Sequence, residues 1–534
     1  MNETDPLPRI PDLSNITVNS MLEAFSLLFY VSNGHENRHF DILKPFVADT
    51  ASVDLSLPAD QQYLNGLDGI FNALEMIIAH EWWTRVWTIQ EVALAQRAII
   101  LHYDASMEFN TLVRAANLMY DHFQFCCKGI MCTLPKGRLE VLETFALQAR
   151  SIGLIRSGDK KQILGLRDPA AVFSAFRNRL STDPRDKVNA LLGLAKWTQV
   201  EAMKPSYSVA LEELYTNAMF NLIQQGQGLA LLRANSHHGH PELPSWVEDW
   251  SIPASNGRGF ERLGDYPSYE AGGKTHLQAG ICSWKRALVL KGAAFDIVTA
   301  TGNSCTFCDD LQFFDILRGW KRIVHEHYDE LSTDTYANGE SYSQAFQATL
   351  EGDVRRSYRK ITRSLGLLPR DYNRSRNVDF TYGHLLLGYN WWGFVDHNVT
   401  PPSQAPQPNN ARSNSDTTIT AAVAASKEPV DHWIYHLNNV IRPTTEHTRF
   451  FMTSKGYMGL GSLAVELGDL VFVPYGCEIP LVLRSRDLDN SSSDSCTHAE
   501  KVTFISAGTC YIHGIMDGEA IAQGNDDELE AHIL

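Results

Sequence analysis

One concentrated group of ionisable side chains lies in the segment TDPRDKVNALLGLA, residues 182–195. Its polar core is Asp183, Pro184, Arg185, Asp186 and Lys187. The first aspartate is suited to a helix N-cap, the proline to the first helical position and the second aspartate to the first turn. Such a helix start could bind phosphate or another anion. We favour a local network of ion pairs among these side chains, with the lysine near both aspartates.

A second polar group, His513, Asp517 and Glu519, could ligate a cation or carry out acid–base chemistry. The dipeptide Asp517-Gly518 is typical of a turn. We therefore favour a hairpin turn that closes a β-module over catalysis or metal binding at these residues.

A third segment, WTRVWTIQE at residues 83–91, concentrates aromatic and polar side chains: Trp83, Arg85, Trp87, Gln90 and Glu91. A continuous helix from Glu81 to Leu94 would place the two tryptophans and the glutamine on one face. An aromatic packing surface is the favoured interpretation, ahead of ligand contact. A buried Gln–Glu pair would still need hydrogen-bond partners.

The chain shows no complete catalytic constellation: P-loop, G-x-S-x-G and H-E-x-x-H motifs are missing from the sequence. Cys305 and Cys308 could bind zinc together with His325 and His327, but a single CxxC is weak and the histidines are too closely spaced. We predict no metal and no cofactor. Enzymatic activity stays open, with the pattern leaning against it.

Composition indicates an ordinary globular protein of two to four domains, with 534 residues, 44% apolar and 20% charged. A net charge of −16 disfavours nucleic acid and anionic membrane surfaces as partners.

The most apolar stretch, Leu385–Val395, is too short for a membrane span. Nine cysteines without framework spacing and the polar start Met1–Pro11 predict a cytoplasmic protein.

Hydrophobic patterning predicts an α+β multidomain fold, with mostly helical N-terminal and middle regions and a small all-β barrel or sandwich at the C-terminus. Leu211–Ile223 has the apolar spacing of an amphipathic helix, whereas residues 280–300 read as strand. The segment Val399–Pro429 is rich in small polar residues and predicts a disordered linker or long loop. The expected regions are 1–100, 101–275, 276–398, 399–430 and 431–534.

Several of these segments, taken in order, resemble the heterokaryon-incompatibility (HET) domain proteins of filamentous fungi. WTRVWTIQEVALA (83–95) is similar to the closing helix of the HET domain, and FRNRLSTDPRDKVNALLGLA (176–195) to the segment that follows it. LPSWVEDWS (243–251), with Trp246 and Trp250, resembles a further piece downstream. The C-terminal pieces RFFMTSKGYMGLG, GDLVFVPYG, PLVLR and YIHGIMDGE resemble the β-module of these proteins.

The resemblance implies a role in fungal non-self recognition and programmed cell death, exerted through protein partners of unknown identity. The opening strand and the following Trp-Ile-Asp-Ala-Ile-Cys-Ile-Asn-Gln segment of the HET domain are not found before Trp83. We therefore expect residues 1–100 to be the C-terminal remnant of a truncated domain, which could leave the protein inactive. The distant likeness of HET to TIR domains implies the alternative, an NAD-consuming enzyme with Glu91 as an acidic contributor.

Overall fold

A computed structural model of the protein describes the chain in segments that divide between two compact units, Met1–Leu211 and Glu212–Leu534. The described residues are 72–102, 105–124, 136–157, 169–195, 197, 204–225, 232, 239–252, 269–282, 286–306, 310–331, 335–352, 441–486, 502–522 and 528–534. The predicted linker at 399–430 lies outside them, as does Cys308.

The described part of the first unit is helical apart from one hairpin. Its elements are α1 (72–79), a 3-10 turn (Glu81–Thr84), α2 (Trp87–Ala93), β1 (Ile99–His102), β2 (Ala105–Glu108), α3 (Phe109–Gln124), α4 (Lys136–Ser157), α5 (Pro169–Phe176), α6 (Asp186–Asn189) and a 3-10 turn (Leu192–Leu194). Helices α3 and α4 pack together closely. A Cβ atom at Gly153 of α4 would lie 2.2 Å from Val113 of α3, so this approach requires glycine.

The hairpin of β1 and β2 has one buried and one exposed face. Ile100 pairs with Met107, which is buried. Ile99 and Leu101 point to the opposite face, as side chains alternate along a strand, and they are 46% and 73% exposed.

The second unit combines helices with one eight-stranded sheet. Its elements are α7 (Leu211–Gln224), β3 (Ala279–Ile281), β4 (Leu288–Cys305), α8 (Asp310–Leu331), α9 (Tyr342–Leu350), α10 (Arg442–Thr445), β5 (Thr448–Thr453), β6 (Met458–Gly461), β7 (Leu470–Pro474), β8 (Leu481–Arg486), β9 (Thr503–Ile512), α11 (Glu519–Ala522) and β10 (Glu528–Ile533). The amphipathic helix predicted at Leu211–Ile223 is confirmed, because Leu214, Tyr215, Ala218 and Leu222 are all buried.

The sheet closes into a barrel. Antiparallel pairings join β4 to β5, β5 to β6, β6 to β9, β9 to β8, β8 to β7 and β7 back to β4. Closure removes the open edges that a two-sheet sandwich would keep. The α+β fold class is thus confirmed, and the C-terminal module takes the barrel form.

Strand β4 closes the ring because, at 18 residues, it is long enough to pair with several partners. Its first half pairs with β10 and β7, and its second half with β5, with irregular register near Ala294 and Val298. Gly292 lies so close to β7 that a Cβ atom there would come within 2.3 Å of the Val473 carbonyl oxygen.

Helices α8 and α9 cover one side of the barrel core. Trp320 of α8 is fully buried, stacks on Phe450 of β5 with 5.7 Å between ring centroids and donates its indole N–H to the Asn303 carbonyl at 2.8 Å. Phe346 of α9 packs edge-on against the same phenylalanine. A Cβ atom at Gly302 would lie 2.2 Å from the Trp320 ring, so β4 carries a glycine where the indole packs.

No helix in the described ranges has both the length and the apolar character needed to cross a bilayer.

Candidate functional site

The segment WTRVWTIQE is not one helix, so the continuous helix predicted from Glu81 to Leu94 is wrong. The 3-10 turn ends at Thr84, Arg85 is extended at φ −81° and ψ 136°, and α2 begins at Trp87. The Thr88 hydroxyl donates to the carbonyls of Trp82 and Arg85 at 3.0 and 2.8 Å, which fixes the break.

The break separates the side chains that the continuous helix would have placed on one face. Trp83 is 4% exposed and its ring lies 6.4 Å from that of Phe109. Trp87 and Gln90 are half-buried, whereas Arg85 and Glu91 are exposed. Trp83 therefore belongs to the core, while the acidic and basic members of the segment face solvent.

The segment TDPRDK forms a turn before a short helix. The Asp183 carboxylate accepts from the backbone N–H of Arg185 at 2.9 Å and from its guanidinium at 3.0 and 2.7 Å. The guanidinium also donates to the Tyr207 carbonyl, and the Tyr207 hydroxyl donates to Asp186 at 2.6 Å. Arg185, Asp183 and Asp186 thus form the predicted ion network, with Tyr207 as a member that the sequence did not reveal.

This network shifts the acid–base properties of its members. Hydrogen bonds from Arg185 hold the pKa of Asp183 below its usual value, and the bond to Asp186 raises the pKa of Tyr207. The helix itself, α6, begins at Asp186 instead of Pro184. The Asp183 carboxylate and the Arg185 guanidinium therefore form an ion pair that stays charged at neutral pH.

Lys187 does not join the network, and the prediction that it lies near both aspartates is wrong. It is 6% exposed and its Nζ donates to the carbonyls of Arg177, at 2.9 Å, and Arg179. These carbonyls follow the end of α5, where backbone acceptors lack helical partners. Burial, with the charge of Arg177 as the second cause, lowers the pKa of Lys187 to about 8.

Two arginines missed by the sequence reasoning lie in the same place. Arg177 and Arg179 are 6% and 8% exposed, whereas Asn178 and Leu180 between and after them are exposed. The segment FRNRL gave no signal of this, because alternation with the apolar Phe176 and Leu180 inward would place both arginines outward. A cluster of buried cations therefore lies directly before the TDPRDK turn.

The two helical motifs contact each other. Val86 donates its N–H to the Leu180 carbonyl at 2.9 Å, and Leu180 donates to Thr84 at 2.5 Å, so Arg85 and Leu180 form a parallel bridge. A Cβ atom at Gly193 would lie 2.8 Å from the Gln90 amide nitrogen, which places this glycine against α2. The segments 83–91 and 182–195 are thus parts of one site in the first unit.

The tryptophans of LPSWVEDWS belong to the core of the second unit. Trp246 is fully buried and donates to the Arg286 carbonyl at 3.1 Å, and Trp250 packs on Tyr215 at 5.0 Å. Between them, the buried carboxylate of Asp249 accepts from the N–H groups of Gly239 and His240 and from Ser251. Asp249 was missed, although its position between two tryptophans was a usable signal. These residues are structural.

His513 follows β9 and lies under residues from the distant segment before α9. Its two ring nitrogens lie 3.1 Å from the Tyr511 hydroxyl and 3.2 Å from Glu340, and its carbonyl accepts from the Tyr336 hydroxyl at 2.8 Å. Burial raises the pKa of Tyr336 well above its usual value, which keeps this phenol neutral. The histidine and both tyrosines are buried. Their hydrogen bonds hold the end of β9 against the connection between α8 and α9.

Asp517 and Glu519 do not close a hairpin, and that prediction is wrong. The Asp517 N–H donates to the Glu519 carboxylate at 2.7 Å, Gly518 adopts φ 90°, and the chain enters α11. Strand β10 then pairs in parallel with β9, which excludes a hairpin between them. In the described segments, no three His, Cys, Asp or Glu side chains are arranged to hold a metal ion.

The barrel and its preceding helical unit define an α+β protein with a β-barrel domain. Residues 393–529 match the family described as the Het-6 beta-barrel domain. The chain is 22% identical over 485 residues to Heterokaryon incompatibility protein 6, OR allele, of Neurospora crassa, which covers 83% of this chain and 65% of that relative. The chain is thus similar to a fungal heterokaryon-incompatibility protein, and the family match lies in its barrel region. No solved structure matches it.

Proposed function

We propose that this protein acts in fungal non-self recognition and in the programmed cell death that follows it, by contact with a protein partner. The observation that supports the proposal is the joint match to the Het-6 barrel and to a protein named for heterokaryon incompatibility. Because the chain spans 65% of the length of that relative, the activity of the whole relative is extended to it only as part of this proposal.

The surface of the first unit supports a protein partner. Ile99 and Leu101 expose large apolar side chains on the same face of one short strand, at 46% and 73%. Single exposed apolar residues are common, but two on one strand face are suited to burial against another protein. The net charge of −16 favours such a partner over nucleic acid.

We place this activity in the cytoplasm. Among the described residues, Cys282, Cys477 and Cys510 are free thiols, and the last two are buried. Burial raises the pKa of Cys477 and Cys510 well above the ordinary value, so both stay protonated and unreactive. Unpaired thiols of this kind suit a reducing compartment.

The direct experiment is to express the full chain in a fungal host and pair it with a panel of genetically distinct strains. We expect fused cells of some pairings to lose viability, scored by dye uptake, while empty-vector pairings survive. Survival in every pairing, with the protein shown to accumulate, would rule out the proposed role.

A matched pair of surface variants tests the protein contact. Leu101→Asp changes the exposed hairpin face, and Leu467→Asp changes a residue that is 64% exposed in the second unit. Both should leave the melting temperature unchanged, and only the first should abolish cell death. If both variants kill like the wild type, the hairpin face is not the contact surface.

A further inference from the structure

The Arg179 side chain is buried, and one nitrogen of its guanidinium lacks a hydrogen-bond partner among the described residues. The residue is 8% exposed, and the nitrogen concerned is Nη1. Its nearest aromatic contact, the Phe176 ring, lies 5.9 Å from Cζ, a distance at the outer limit of a cation–π interaction. Buried guanidinium groups in proteins are almost always paired with a carboxylate or another acceptor.

Two further buried cations, Lys187 and Arg177, lie close to each other in the same part of the unit. Lys187 is buried against the backbone of the same segment, and Arg177 is close enough to lower the lysine pKa. Burial lowers the pKa of Arg179 to about 10, and no carboxylate in the described ranges raises it again. All three side chains are thus cations held away from water, at the start of the TDPRDK turn.

The lysine has capacity left for a ligand. An ammonium group carries three N–H donors, and the Lys187 Nζ gives two of them to the Arg177 and Arg179 carbonyls. One donor is therefore available, as is the Nη1 donor of Arg179. The exposed residues Asn178 and Leu180 flank the arginine, so solvent lies only one residue away along the chain on each side.

We propose that Arg179 is the anchor of an oxoanion-binding site, which takes the phosphate or carboxylate group of a small ligand. Lys187 supplies a second positive charge from the backbone side of the segment. The oxygens of such a group accept the hydrogen bonds that the buried guanidinium lacks, and the low local dielectric strengthens their attraction. This inference is independent of the proposed role in cell death.

The test measures the melting temperature of the full chain against increasing phosphate, sulfate or acetate, with chloride keeping the ionic strength constant. A ligand that binds only the folded state raises the melting temperature progressively with its concentration. We expect a rise with phosphate and sulfate if the natural group is a phosphate, and with acetate if it is a carboxylate. No rise with any of the three anions beyond chloride would overturn the site.

Variants identify the residue responsible. Arg179→Met keeps the length of the side chain without its charge and should abolish the rise completely. Arg179→Lys should keep part of it, which distinguishes lost binding from lost folding. Arg97→Met, at an exposed arginine of the same unit, removes an equal charge and should keep the full rise. A rise that persists unchanged in Arg179→Met would contradict the assignment.

Discussion

Buried charged side chains in the barrel of the second unit and in the motif site of the first unit differ in their hydrogen-bond partners. In the barrel, the Asp469 side chain is 1% exposed and accepts from two nitrogens of Arg484, at 2.8 and 3.0 Å, and from the Glu466 N–H at 2.8 Å. Asp296, buried in β4, likewise accepts from Ser454 and from the N–H of Lys455. In the described part of the first unit, by contrast, the Nη1 atom of Arg179 has no hydrogen-bond partner.

This difference separates charges that serve stability from charges that are available for binding. A fully hydrogen-bonded buried ion pair fixes the register of the elements around it, and its removal leaves one charge uncompensated. A buried cation without acceptors destabilises the free protein and is stabilised once an anion binds. Asp469 and Asp296 therefore serve the stability of the barrel, whereas Arg179 of the motif site keeps an unused donor.

The largest expected effect comes from breaking the saturated network. Asp469→Ala removes three accepted hydrogen bonds and leaves Arg484 with Glu466 and the Ala464 carbonyl as partners. We expect the free energy of unfolding to fall by about 3–5 kcal/mol, measured by urea denaturation. Arg486→Ala, at an exposed position of the same strand, is the control and should change it by less than about 0.5 kcal/mol. Equal effects would show that the network has no special role.

Two tryptophans of the motif site are expected to differ in how much they contribute to the free energy of unfolding. Trp83→Ala should lower the free energy of unfolding by about 3–5 kcal/mol, because this ring is core. Trp87→Ala should cost only about 1–2 kcal/mol, because this side chain is half-buried. Calorimetry of both variants checks the order, and a larger loss at Trp87 would mean that the break at Arg85 is misplaced.

Removing the unpartnered cation should stabilise the free protein. In buffer without oxoanions, Arg179→Met is expected to raise the free energy of unfolding by about 1 kcal/mol, because an apolar side chain replaces an uncompensated buried charge. The same denaturant titration measures it. A clear loss of stability would instead mean that the arginine is well solvated or paired in the folded state.

The smallest expected effect is a pH dependence from Lys187. Its pKa is about 8 in the folded protein against an ordinary value of 10.5, so the unfolded chain binds the proton more tightly. The cost of burying this charge is therefore full below pH 8 and is relieved as the pH rises toward 10.5. Lys187→Met should lack that relief when its stability is compared with wild type over this window. Parallel pH profiles would exclude the assignment.

Local sequence patterns predicted much of the fold. The apolar runs separated by turn residues located β5 to β9, and the three-to-four spacing around Tyr215 located the buried face of α7. These patterns succeed because they depend on neighbours in sequence, and alternation along a strand or periodicity along a helix needs no knowledge of the partner.

The sequence predictions that were wrong concerned residues whose partners are distant in the sequence. The helix is interrupted at Arg85 because the backbone there pairs with that of Leu180. Lys187 is buried because its ammonium group donates hydrogen bonds to the carbonyls that follow α5. His513 meets Glu340 from 173 residues away. The residues adjacent to His513 and to Glu340 in the sequence give no indication of this contact. For the same reason the cationic site was only half visible, with TDPRDK recognised and Arg179 overlooked.

The most direct test of the contrast between the two units is hydrogen exchange of the full chain, read by mass spectrometry with phosphate or with chloride at equal ionic strength. We expect phosphate to slow exchange in peptides covering residues 176–189 and to leave the peptides of β4 to β9 unchanged. Protection spread over the barrel, or none in the 176–189 peptides with phosphate, sulfate or acetate, would contradict it.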